Sequence, residues 1–287
     1  MRMVRKLGLL FVPAVLALAS GCIKAKQHWT VYPDGSGKVE IENTLMGMMA
    51  QMVKMGAQMA QQGGEGADPF EMIKDSVKGE VYWTDLQARD GPDGSYILSG
   101  TAYFTDISKV ATGEQQSGIE FRKNDDGSFT LTFKQDKSAM QGLPGMSAEG
   151  EDEQSPEEKA QQEQMKAMMM GMLAGFEMQI AVTMPGAVSS VEGFGHTDGR
   201  SASFTIGEEQ VKKYMAKQAS PPDKLVVTSA APGPELEAEF AAFQKALAKA
   251  KAEAEAARPA EQGEQQPEEA EGEQDAPQQP QGGTQPF

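Results

Sequence analysis

The chain has 287 residues with 42 acidic against 26 basic side chains, a formal net charge of −16 and 39% hydrophobic residues. So acidic a balance argues against nucleic acid and against electrostatic attraction to anionic lipid. With one cysteine and two histidines, no internal disulfide is expected and the usual zinc ligand sets are missing.

The first six residues, MRMVRK, carry Arg2, Arg5 and Lys6, and an apolar run follows from Leu7 to Ala19. A basic start, a short apolar stretch and small residues at Ser20 and Gly21 make residues 1–21 a secretory signal peptide. The apolar run is 13 residues long and contains Pro13, whereas a spanning helix needs about 20. Ala19-Ser20-Gly21-Cys22 resembles a bacterial lipobox, with Ala19 where Leu is commonest. The resemblance implies cleavage before Cys22, a diacylglyceryl thioether on its sulfur and an acyl chain on its new amino group. Cys22 is therefore expected to be the lipid-attachment residue, because single chains bind membranes marginally and two or more bind stably. Removing residues 1–21 leaves 23 basic against 42 acidic residues, a net −19. The expected partner is thus the membrane, met through the lipid anchor, with no nucleic acid. Ile23 after the cysteine, in place of Asp, resembles outer-membrane sorting in a diderm cell envelope.

Residues 22–230 read as an α+β ectodomain, an antiparallel sheet of about nine strands covered on one face by amphipathic helices. Asp-Gly turns at Pro33–Gly37, Gly91–Ser95, Asn124–Ser128 and His196–Arg200 are flanked by alternating apolar and polar residues, a hairpin signal. The expected hairpins span 26–44, 80–104, 118–135 and 177–206, with a further strand over 224–229. None of these turns has the acidic spacing and twelfth-position Glu of a calcium loop.

Two segments, 45–62 and 161–180, contain 12 of the 19 methionines. Leu45, Met48, Met52, Met55 and Met59 recur at 3–4 spacing, as do Met165, Met168, Met172 and Phe176, which predicts two amphipathic helices. Three readings of these stripes stand. They fill the core, because Met is an adaptable packer. They form a soft surface for an apolar ligand such as a lipid tail. Or their thioethers hold Cu(I), with Met48, Met52, Met55, Met168 and Met172 as candidate ligands.

Residues 140–160, with GEDEQSPEEK inside them, read as an acidic linker. A short helix is expected over 208–218. The segment 231–257 is expected to contain a longer one, with Leu236, Phe240, Phe243 and Leu247 as its apolar stripe. Residues 258–287 hold seven acidic and no basic side chains after Arg258, the composition of a disordered tail.

No G-x-S-x-G elbow, H-E-x-x-H pair or Walker loop is present. His28 and His196 fall in different hairpins, and no pair of carboxylates is marked for hydrolysis. Catalytic residues and cofactors are accordingly expected to be none, and an enzyme is not expected. Met184–Ile206, with its Pro-Gly-x-Val step, polar turn and strand, is similar to a pattern in LppM-type bacterial lipoproteins. So are the Asp34–Gly37 turn and Gly100–Val110. The resemblance covers 22–45 and 80–230. It implies an α+β domain that exposes apolar surface to envelope lipids or glycolipids, and it assigns no binding residue. Three functions follow as expectations: a non-catalytic envelope lipoprotein that binds an apolar ligand or assists assembly with an envelope partner, a periplasmic Cu(I) carrier, or a spacer.

Overall fold

The computed structural model describes residues 23–61, 68–112, 117–134, 173–216 and 218–257. Leader, Cys22, Met165, Met168, Met172, the 140–160 linker and the 258–287 tail lie outside the described residues.

The fold is α+β, built on two mostly antiparallel sheets. Sheet 1 contains β1 (Ile23–Val31), β2 (Gly37–Leu45), β4 (Val81–Asp90), β5 (Tyr96–Phe104), β9 (Glu177–Thr183), β11 (His196–Asp198) and β12 (Ser201–Gly207). Its order is β11-β12-β9-β1-β2-β5-β4. Sheet 2 contains β3 (Val77–Gly79), β6 (Val110–Thr112), β7 (Ser117–Lys123), β8 (Phe129–Lys134), β10 (Val188–Glu192) and β13 (Lys224–Ser229), in the order β10-β13-β8-β7-β6-β3.

The expected single sheet of about nine strands is therefore thirteen described strands in two sheets. The reason is burial. Each sheet has one apolar face, and the short helices are too few to cover both. The two inner faces cover each other instead. Trp29, Val39, Leu98 and Phe104 from sheet 1 meet Ile119, Leu131, Phe133 and Leu225 from sheet 2 in one buried cluster. Trp29 bridges the layers, with its ring centroid 5.7 Å from Phe133 and 6.1 Å from Phe104. The fit is tight: a Cβ on Gly37 would collide with the Thr30 carbonyl oxygen and the Phe104 ring.

The first three Asp-Gly turns join β1 to β2, β4 to β5 and β7 to β8, as their chemistry demands. The fourth joins β11 to β12. The 177–206 segment is more than one hairpin, because β10 leaves for sheet 2 between β9 and β11. β9 returns beside β1 in parallel, and every other pairing in sheet 1 is antiparallel.

Four α-helices are described: α1 (Gly47–Gln61), α2 (Glu71–Ser76), α3 (Glu208–Met215) and α4 (Leu236–Ala257). Helix α1 occupies the expected first methionine segment. Of the expected second one, 161–172 lie outside the described residues and 177–180 belong to β9. Helix α4 buries Leu236, Phe243 and Leu247 against Tyr32, with Tyr82, Tyr103 and Phe240 partly buried around them, on the outer face of sheet 1.

Phe104→Ala opens a cavity beside Trp29 and is expected to cost about 3–5 kcal/mol in denaturant unfolding. Met55→Ala, at an exposed position, is expected to stay within about 0.5 kcal/mol of the parent.

Candidate functional site: the methionine ridge and the outer face of sheet 1

Sheet register divides the domain into two ends. At one end Ile23 pairs with Leu45, Leu45 with Tyr96, and Tyr96 with Asp90. At the other, Val31 pairs with Gly37 and Gly37 with Phe104. Nine residues of β1 separate the ends, about 30 Å at ~3.3 Å per residue. The first end lies one residue from Cys22.

Helix α1 starts at that end, two residues beyond Leu45. Gly47 takes φ +57°, the left-handed turn that redirects the chain from strand to helix. Along α1, Met48, Met52, Met55 and Met59 lie within roughly 60° of arc at 3.6 residues per turn, and Ala50 and Ala57 lie about 180° round from them. Burial follows this division. Ala50 and Ala57 are buried, and Met49 and Val53 pack on the core. The four ridge methionines are 58%, 60%, 58% and 53% exposed, respectively.

The core-filling reading of this stripe is therefore overturned. Alanines take the buried side of the helix and the long thioethers the exposed side. Lys54 is the helix's single charged residue. Its ammonium lies 2.5 Å from the Asp90 carboxylate and 5.4 Å from the centre of the Tyr96 ring.

Of the proposed soft-metal ligands, Met48, Met52 and Met55 share this exposed face, and Met168 and Met172 are outside the described residues. Among the described residues no group of three or more His, Cys, Asp or Glu side chains is placed to hold a metal.

The outer face of sheet 1 is polar. Lys26, His28, Glu40, Glu42, Gln87 and Gln179 line an open trough of about 600 Å³. Its charges are largely compensated in place: Glu42 pairs with Lys26 at 3.9 Å and Arg89 at 3.3 Å, and Glu40 with Lys38 at 3.1 Å. His28 contacts the Thr183 hydroxyl at 2.9 Å. His196 stands in the same cross-strand row, through Ser203, Ala181 and His28. Three strand spacings, about 14 Å, separate the two rings. The structure thus places both histidines on one face without bringing them together.

At the end remote from Cys22, Arg200 closes the fourth Asp-Gly turn. It donates through Nε to the Met184 carbonyl at 2.9 Å and through Nη1 to Glu239 of α4 at 2.7 Å. The Tyr32 hydroxyl donates to the same carboxylate at 3.2 Å, while its ring stacks on Phe243 at 4.3 Å. Burial of the phenol, then the Glu239 charge and hydrogen bond, push the Tyr32 pKa well above its ordinary value, against the opposing Arg200 charge. This clamp on α4 was not foreseen. The apolar stripe of α4 was legible, but nothing local links Tyr32, Arg200 and Glu239.

No protein-family model matches the chain. No curated protein matches it either. Among solved structures, the chain is similar to the NMR structure of the folded domain of the Mycobacterium tuberculosis LppM protein. The match has 11% identity over 75% of this chain and 94% of that chain, with a TM-score of 0.31. A likeness at that level carries no argument about what the chain does.

Because the folded-state Tyr32 phenol resists ionisation, its contribution is complete below the unfolded value near pH 10 and fades as pH rises past it. Tyr32→Phe is expected to be less stable than the parent by about 0.5–1.5 kcal/mol at pH 8, through loss of the hydrogen bond to Glu239. The gap should narrow in denaturant titrations above pH 10.

Proposed function

We propose that the protein is a lipid-anchored envelope protein without catalytic chemistry, which keeps a rigid two-sheet domain at a bilayer surface and acts by contact. Its contacts are an apolar envelope ligand or an envelope protein partner. One observation carries this reading. The residue after Cys22 is already part of β1, a strand paired along both edges in the middle of sheet 1. A lipid on Cys22 would couple to the domain with no linker between them.

The packed interior supports contact at the surface over enclosure of a ligand. On the inner side of α1, Ala50 is part of the buried core and Met49 and Val53 pack against it. Apolar surface is offered outward, by the ridge.

A second reading, a Cu(I) carrier, draws on the shared exposed face of Met48, Met52 and Met55, since thioethers are soft ligands. Removing those three sulfurs should weaken Cu(I) binding if that reading holds. No binding tighter than about micromolar in a competition titration would eliminate it.

Anchoring is tested by intact-mass analysis of the protein from its native host. The expected product begins at Cys22 and carries diacylglyceryl and acyl groups. Cys22→Ser is expected to move the protein from the membrane to the soluble fraction after lysis. An unmodified sulfur, or a leader still attached, would overturn the proposal.

A further inference from the structure

We infer that the methionine ridge of α1 lies in the headgroup–acyl boundary of the bilayer that takes the Cys22 lipid, giving the domain a second apolar attachment beside its anchor. The inference rests on the anchoring reading above for its orientation and adds what the ridge does there.

Four features single out the bilayer as occupant. The first is position. The chain outside the structure ends at residue 22, Ile23 pairs with Leu45, and α1 begins at Gly47. The helix therefore sits at the anchored end of the domain, and the Lys54 contacts to Asp90 and Tyr96 confirm which end that is. The second is direction. The ridge lies opposite Ala50 and Ala57, which face the core, so it points away from the sandwich.

The third is charge. In a chain of net −16, α1 has no acidic side chain, and its one lysine is paired. Gln51 and Gln58 border one edge of the ridge, and no exposed residue of α1 carries a charge. The fourth is length. Fifteen residues make a helix of about 22 Å, long enough to lie along an interface and too short to span one.

Interfacial helices usually add basic residues on the polar face to attract anionic lipid. This one has a single, engaged lysine, so its attachment would be hydrophobic and little affected by salt. Flexible thioethers suit the irregular packing of acyl chains. A single methionine inserts weakly, and four in a row on an already tethered domain insert together, because the anchor makes the second contact intramolecular.

The direct test is sulfur oxidation. The mature lipidated protein in phosphatidylcholine vesicles is treated with dilute hydrogen peroxide, and sulfoxide at Met48, Met52, Met55 and Met59 is followed by peptide mass spectrometry. The comparison is the mature chain with Cys22→Ser, free in buffer. The expected result is slower oxidation of all four ridge sulfurs on vesicles. Equal rates in the two preparations would overturn the inference.

A second measurement removes dependence on the anchor. The Cys22→Ser chain is expected to float with phosphatidylcholine vesicles, equally in low and high salt. Met52→Glu and Met55→Glu are each expected to weaken partitioning roughly tenfold, with an unchanged near-ultraviolet dichroism spectrum confirming the fold. A dimer of the Cys22→Ser chain whose ridge is already protected in buffer would assign the ridge to a second copy and overturn the inference. The two proposals fail separately. A lipidated Cys22 with freely oxidised ridge sulfurs sinks only the ridge, and a bare Cys22 with a ridge that still binds vesicles sinks only the anchor.

Discussion

The constraint on which the rest of the structure depends is the placement of β1. This strand pairs on one edge with β2 over its whole length and on the other with β9 from Lys24 to Thr30. Its inward side chains include Trp29 and Val31, both fully buried, and Trp29 touches both layers of the core. A strand so held cannot peel away without exposing the centre of the sandwich. The direction of β1 gives the domain two unlike ends.

At one end stands α1, seated through alanines with its methionines turned outward. At the other stands the Tyr32–Glu239–Arg200 clamp, from which α4 runs across sheet 1 toward Tyr103 and Tyr82. Lys251 near the end of α4 lies 5.6 Å from the centre of the Tyr82 ring, on the edge strand β4. Between the ends, the outer face of sheet 1 is a polar surface with most of its charges paired. The exposed methionines thus mark one end of the domain and the clamp on α4 the other.

How far the sequence foretold this depends on the range of the interaction. Hairpins whose Asp-Gly turns lie between their own strands were legible, because turn chemistry and alternation act over a few residues. The stripe of α4 was legible for the same reason. Partition of the strands into two sheets was not, since it depends on β9 joining β1 across about 150 residues and on β10 crossing to β13. The outward turn of the α1 ridge stood as one of three readings that the sequence left open. Periodicity shows that a helix has two faces, and it does not say which one a crowded site will accept. Ala50 and Ala57, at seven-residue spacing opposite the methionines, were the available signal. The Tyr32–Glu239 contact joins residues more than 200 positions apart and left no local trace.

The proposed arrangement sets the domain flush on the membrane with its α1 end down. Neutron reflectometry of the mature lipidated protein on a supported bilayer measures this directly. The expected result is a dense protein layer about 30–40 Å thick, from the ~3.3 Å rise of β1 plus the α1 cap, starting at the headgroups with no water layer between. A hydrated gap of about 10 Å or more, wider than one helix diameter, would contradict it.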